Sequence, residues 1–137
     1  NGKKLPDALN EVVVRSRLHR VMGVKLASGG RRWKFFCDGL IFSTATGSSG
    51  YAYSAGGREM KSSSKQIQIV PIAPYRRAFR PVMAGPDERI SAELFGKCPA
   101  DLTIDGQVRM PLKTRSRLMV RRAKREMQFV RAVKKGK

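Results

Sequence analysis

The sequence predicts a mainly β fold, a many-stranded antiparallel sandwich with one short helix. Three observations predict it: many short β-branched or alternating runs, turn signals at regular intervals, and a single stretch that reads as helix. Ala8 to Arg17 is rich in valine and follows Pro6 and Asp7, so it reads as the first strand. Val21 to Leu26 and Arg32 to Cys37 flank Ser28-Gly29-Gly30, a hairpin signal, and Gly39 to Thr44 is an apolar run of the kind buried in a sheet. The small residues Ala45 to Gly50 then lead into a short helix to Ala55, with a Ser or Thr cap at its start and Gly56-Gly57 at its end. Gln66 to Val70 alternates as a strand, and Pro71, Pro74 and Pro81 make the next stretch an irregular loop. Further strands are expected at Arg89 to Phe95, Ala100 to Ile104, Val108 to Leu112, Arg117 to Arg122 and Met127 to Ala132. Asp105-Gly106 marks a tight hairpin between two of them. With 137 residues the chain is long enough for one core, so we expect one domain over residues 1–133 and a loose basic tail over 134–137.

Charge is the outlying quantity. The chain carries 29 Lys and Arg against 10 Asp and Glu, a formal net charge of +19. So large an excess repels itself, and a polyanionic partner is the economical explanation. A membrane surface recruits a local basic stretch, whereas these cations run from Lys3 to Lys137, so nucleic acid is the better match and no membrane partner is expected. Cys37 and Cys98 are too few for a disulfide framework or a four-thiolate zinc site, which predicts a cytoplasmic location. No apolar run has the length of a membrane span and no signal-peptide pattern opens the chain. The first residue is Asn1 rather than Met, consistent with a natural N-terminus further upstream.

Three basic clusters are candidate RNA contacts. Arg31, Arg32 and Lys34 surround Trp33 and Phe35; Arg76, Arg77 and Arg80 accompany Tyr75 and Phe79; Arg121, Arg122, Lys124 and Arg125 are read as a hairpin turn, followed by Lys134 and Lys135 in the tail. Cations beside flat aromatic surfaces suit phosphates and bases, without base specificity. Trp33 taken alone reads better as a core residue. His19, the one histidine, lies between Arg17 and Arg20 and reads as a surface residue, Cys37 as a small buried hydrophobe and Cys98 as a loop residue. No acidic pair points to a metal site, no catalytic residue is assigned, and Asp105 is read as turn chemistry.

Four ordered segments carry a family resemblance: Ala8-Leu9-Asn10-Glu11-Val12-Val13, Asp38 to Thr44 continuing to Tyr51 and Gly57, Pro71-Ile72-Ala73-Pro74, and Leu102-Thr103-Ile104-Asp105-Gly106-Gln107. Together they resemble the C-terminal domain of the NAD kinases over nearly the whole chain. The resemblance implies a β-sandwich and a dinucleotide site: Asn10 and Glu11 at the nucleoside, Thr46, Gly47, Ser49, Tyr51 and Ser54 lining the adenine and ribose pockets, Asp38 and Ala73 completing a neighbouring subunit's site. Ala45, Ser49 and Gly50 stand where the family usually has Pro, Thr and Ala, and all three keep the loop small. The loop therefore admits two readings, a nucleotide site or a retained tight turn that packs the sheet. The Gly-Gly-Asp-Gly motif that supplies the family's activating Asp is absent from these residues.

Combining resemblance and charge, the expectation is a non-catalytic RNA-binding protein of the ribosome on an NAD kinase-like scaffold, with ribosomal RNA and neighbouring ribosomal proteins as partners and no cofactor. The alternative is the NAD-binding domain of a genuine ATP-dependent NAD kinase, which would bring NAD, ATP with Mg and a homo-oligomer.

Overall fold

The computed structural model describes residues 2–129. Within them ten strands form two antiparallel sheets: β1 (Glu11–Ser16), β2 (Met22–Ser28), β3 (Arg31–Cys37), β4 (Gly39–Ser43), β5 (Ile67–Ile72), β6 (Val82–Ala84), β7 (Ile90–Phe95), β8 (Ala100–Ile104), β9 (Val108–Leu112) and β10 (Arg117–Val120). The larger sheet has the order β6-β5-β4-β1-β8-β9, and the smaller β10-β7-β2-β3. One short helix, α1 (Tyr51–Ser54), and a 3-10 turn at Tyr75–Arg77 complete the secondary structure. The mainly β fold with one helix is as the sequence predicts.

Period-two patterning builds the core. Ile90, Ala92 and Leu94 of β7 are buried while Ser91, Glu93 and Phe95 are half-buried, so alternate residues turn inward. They join Val14, Val24, Leu26, Phe35, Leu40, Phe42, Ile69, Leu102 and Ile104 in one cluster drawn from both sheets. Each fully buried side chain of this size contributes about 1.5 to 3 kcal/mol of burial. β4 departs from alternation: all five of its residues are buried. Leu40 and Phe42 belong to the main cluster, whereas Ile41 belongs to a second one with Val13, Val70 and Ala52 of α1. The apolar run at Gly39 to Thr44 thus reflects a strand covered on both faces.

Both glycine-containing turns behave as their residues dictate. Gly29 and Gly30 have φ of 54° and 77° between the paired Ser28 and Arg31, a two-residue hairpin loop with both central residues left-handed. Asp105 and Gly106 have φ of 50° and 67°, closed by the Gln107 amide on the Ile104 carbonyl at 3.0 Å.

Four expectations need correction. The helix begins at Tyr51, and its cap position is Gly50 with no side-chain cap bond, so the Ser or Thr cap is absent. The stretch from Pro71 onward is not all loop. Pro71 lies within β5 beyond Ile69, where pairing with β6 stops, and the short β6 was missed because three residues show no period. Met127 to Phe129 form no strand, and Met127 and Phe129 are 64% and 70% exposed. The rest of that predicted strand lies outside the described residues. Among the described residues no strand follows β10, so within them Arg121 to Arg125 form no hairpin turn. The domain end at residue 133 and the tail with Lys134 and Lys135 also lie outside the described residues.

Candidate functional site

The start of β1 is held from both sides. The Asp105 carboxylate accepts the amides of Leu9 (2.7 Å), Asn10 (2.7 Å) and Glu11 (3.0 Å), and the Asp105 amide donates to the Glu11 carbonyl at 3.0 Å. On the other flank the Thr44 hydroxyl donates to the Leu9 carbonyl at 2.6 Å, and the Thr44 amide donates to the Asn10 carbonyl at 2.9 Å. Every main-chain polar group of residues 9 to 11 is therefore bonded. The Asn10 carboxamide and the Glu11 carboxylate, by contrast, make no hydrogen bond or ion pair among the described residues, and both residues are half-buried.

The glycine-rich loop closes over this platform. A Cβ on Gly47 would meet the Asn10 carbonyl oxygen at 2.3 Å and Glu11 Oε2 at 2.8 Å, so only glycine allows this approach. The Gly47 amide donates to Thr44 Oγ1 at 3.3 Å. The buried Ser48 ties the loop down, donating to the Ala45 carbonyl at 2.7 Å and accepting the Met60 amide at 2.9 Å. Beyond it, Gln68 clasps Arg58 through both its amide (2.7 Å) and its carbonyl (2.8 Å). Thr46, Ser49, Tyr51 and Ser54 remain exposed around Gly47 in the sequence of the loop and helix, and Ser54 Oγ donates back to the Gly50 carbonyl at 3.2 Å.

Burial, and then the neighbouring Asp105 charge, raise the Glu11 carboxyl above its ordinary range. Cys37 is inert: burial pushes its thiol up to about 12.

Asn10, Glu11 and Gly47 are thus brought together, with Thr46 and Ser49 on the same loop. Asp38 and Ala73 are not. They lie at the opposite end of β4, a strand of five residues or roughly 16 Å, where the Asp38 amide bonds the Ile72 carbonyl at 2.9 Å and Ala73 has a φ of 44°. Sequence reasoning missed Thr44, Ser48 and the Asp105 clamp. By sequence Asp105 is a turn residue, and its reach to Leu9, 96 positions away, leaves no mark on local spacing.

The cationic residues are partly neutralised within the fold. Among the described residues, Asp101 takes Arg17 and Arg109, Glu93 takes Lys25 and Arg117, Glu88 takes Arg31, and Glu126 takes Lys65 and Arg122. Arg31 also lies over Trp33, Lys34 over Phe95 and Arg76 over Tyr75. Trp33 itself is half-buried, packed against the main cluster and edge-on against the buried Phe79. Arg32, Arg77, Arg80, Arg121, Lys124 and Arg125 are exposed, and Arg76 and Arg77 both have left-handed backbones.

Fold and site together define a class of protein, the two-sheet antiparallel β domain whose glycine-rich loop is locked onto an Asn-Glu pair. The chain belongs to the ATP-NAD kinase C-terminal domain family, whose model matches residues 9–132. It is 36% identical over 132 residues to the NAD kinase of Methanocorpusculum labreanum, covering 95% of this chain and 49% of that protein. It is 38% identical to the NAD kinase of Geobacter sulfurreducens, covering 95% and 48% respectively. Its fold superposes on a crystal structure of an NAD kinase from Archaeoglobus fulgidus in complex with ATP, with a TM-score of 0.75, 29% identity, and coverage of 85% of this chain and 46% of that one. Yeast NADH kinase complexed with NADH shares the fold at a TM-score of 0.76 and 21% identity, over 90% of this chain and 36% of that one. The chain spans about half the length of the curated relatives it matches.

These findings overturn the expectation of an RNA-binding ribosomal protein with ribosomal RNA and ribosomal proteins as partners. The kinase alternative is the one the family supports. Net charge sums over the whole chain and names no partner, whereas the four ordered motifs identify the family. The clusters Arg31, Arg32 and Lys34, Arg76, Arg77 and Arg80, and Arg121, Arg122, Lys124 and Arg125 therefore carry no assignment to RNA. Among the described residues no helix is long and apolar enough to cross a membrane.

Proposed function

We propose that this domain is the nucleotide-binding half of a cytoplasmic ATP-dependent NAD kinase, the enzyme that makes NADP. The observation that carries the proposal is the pair Asn10 and Glu11, whose side chains have no polar partner among the described residues, presented on a fully bonded backbone directly beside Gly47. A carboxamide and a carboxylate together offer donors and acceptors matched to sugar hydroxyls, and the small residues of the loop let a ligand reach main-chain amides. That chemistry fits a nucleoside. When bound, NAD supplies the ribose hydroxyl that accepts the phosphoryl group of ATP with Mg.

In this reading Asn10 and Glu11 grip the sugar, Thr46 and Ser49 add hydroxyls at the loop, and Tyr51, 36% exposed, offers a ring for the adenine with Ser54 behind it. These residues bind and orient. An Asp that activates the acceptor hydroxyl is contributed by another part of the enzyme, because no Gly-Gly-Asp-Gly motif occurs in these residues. In the same reading Asp38 and Ala73, remote from this platform, serve the site of a second copy in a homo-oligomer.

The test is calorimetric titration of the natural gene product with NAD, followed by an assay for NADP formation with ATP and Mg. Saturable NAD binding, weakened by Asn10→Ala and by Glu11→Gln, is the expected result. Unchanged binding in both variants would remove the pair from the site, and absence of any binding by the unaltered protein would end the kinase reading.

A further inference from the structure

We propose that Asp105 is a positioning residue for nucleoside binding: its carboxylate gathers the amides of Leu9, Asn10 and Glu11 and so sets the direction in which the Asn10 and Glu11 side chains leave the chain at the entry to β1. The role rests on the nucleotide reading above.

Turn chemistry does not account for the carboxylate. The left-handed conformation at Asp105 would be met as well by Asn or Gly, since an Asn-Gly or Gly-Gly pair makes the same turn. What those residues lack is a pair of acceptor-only oxygens. Three N–H groups from consecutive residues converge on these oxygens at 2.7, 2.7 and 3.0 Å, across 94 to 96 positions of sequence. The carbonyls of the same segment are held by Thr44 and by the Asp105 amide, so no backbone group there is left to reorient. A segment fixed in this way spends little conformational entropy when its side chains engage a ligand.

Asp105 also acts on Glu11 through space. It is the charged group facing Glu11 across the β8–β9 turn, and its charge adds to burial in disfavouring ionisation of Glu11. Among the described residues the other elements packed on Glu11 bring no competing charge: its β4 partner is Ser43, and residues 44 to 50 contain no titratable side chain. Loss of the Asp105 charge therefore moves the acid limb of ligand binding to lower pH.

The experiment measures NAD affinity against pH for the natural gene product, for Asp105→Asn, for Glu11→Gln and for the double variant. Asp105→Asn keeps the turn but turns an NH2 toward amide donors. We expect an affinity loss of about tenfold, as for a charge-assisted hydrogen bond. We also expect an acid limb shifted to lower pH and a double variant that loses less than the product of the single effects. Equal affinity, or strictly multiplicative effects with an unmoved pH profile, overturns the positioning role alone. No NAD binding by the unaltered protein sinks the nucleotide reading and this role with it. Amide hydrogen exchange on the unaltered protein keeps the idea testable if Asp105→Asn does not fold. Slow exchange at Leu9, Asn10 and Glu11 supports the clamp, and fast exchange at all three overturns it.

Discussion

Gly47 lies so close to Asn10 that a Cβ on the glycine would come within 2.3 Å of the Asn10 carbonyl oxygen. The atom it would strike is backbone, already bonded to the Thr44 amide, and cannot swing aside like a side chain. Gly47→Ala is therefore expected to destabilise the domain by about 1 to 3 kcal/mol, the usual cost of overpacking. Thermal unfolding checks it, and a variant as stable as the parent would show that the loop does not sit against β1.

Glu11 gives a stability prediction with a definite sign. Its carboxyl is raised by burial and by Asp105, so the folded state disfavours its charged form. The penalty is absent below the ordinary carboxylate range, where folded and unfolded chains are both protonated. It grows as pH rises through that range toward the raised value and persists above it. Glu11→Gln should thus be more stable than the parent at pH 7 and converge with it near pH 3, while binding nucleoside less well. Melting curves at the two pH values decide the point.

Ser28 and Glu88 show the opposite sign. The Ser28 hydroxyl, then the Gly85 amide, hold the Glu88 carboxyl below its ordinary range. The stabilisation is present above the ordinary carboxylate range and is lost as pH falls through the depressed folded value. Ser28→Ala should lower Tm by roughly 3 to 5 °C at pH 7, as expected for one lost hydrogen bond. The difference should shrink in acid, and a deficit that is constant with pH would mean that the hydroxyl acts through packing instead.

Gln68 is 1% exposed and clasps the backbone of Arg58 through two hydrogen bonds. Replacing it with Leu leaves that amide and carbonyl without their partner, so the chain from Gly56 to Lys61 should open. Brief trypsin digestion is expected to cut after Arg58 or Lys61 several times faster in Gln68→Leu. Equal cleavage rates would show that the segment is held by other contacts.

Ile69 and Phe129 are chemically comparable and structurally unlike. Ile69 is fully buried in the core shared by the two sheets, so Ile69→Ala should cost about 2 to 5 kcal/mol. Phe129 is 70% exposed, and Phe129→Ser should fall within about 0.5 kcal/mol of the parent. Denaturant titration compares them. A large loss from Phe129→Ser would restore the strand that alternation predicted at Met127 to Ala132.

Alternation, β-branched runs and turn residues were enough to place nine of the ten strands at least approximately, because those signals act between residues close in sequence. β6 escaped because Val82 to Ala84 is too short to show a period, and its pairing with Ile67 to Ile69 is a tertiary matter. Met127 to Phe129 misled for the converse reason: alternation is necessary for a half-buried strand, but a strand also needs a neighbour, and among the described residues none pairs with the free edge of β10.

The sequence by itself determined the sandwich class, the hairpins at Gly29-Gly30 and Asp105-Gly106, and, through its ordered motifs, the kinase family. These are local in origin, or written in residue identity. Only the tertiary structure decided that Asp105 clamps residues 9 to 11, that Thr44 and Gly47 close on them, and that Asp38 stands at the far end of β4. Each of those relations joins segments distant in sequence, brought into contact by strand order and register, and a hydrogen bond between such segments leaves no periodic trace in either one. Net charge shows the same limit from the other side. It sums over the chain, while the ion pairs formed by Asp101, Glu93, Glu88 and Glu126 depend on which cations the sheets set beside each acid.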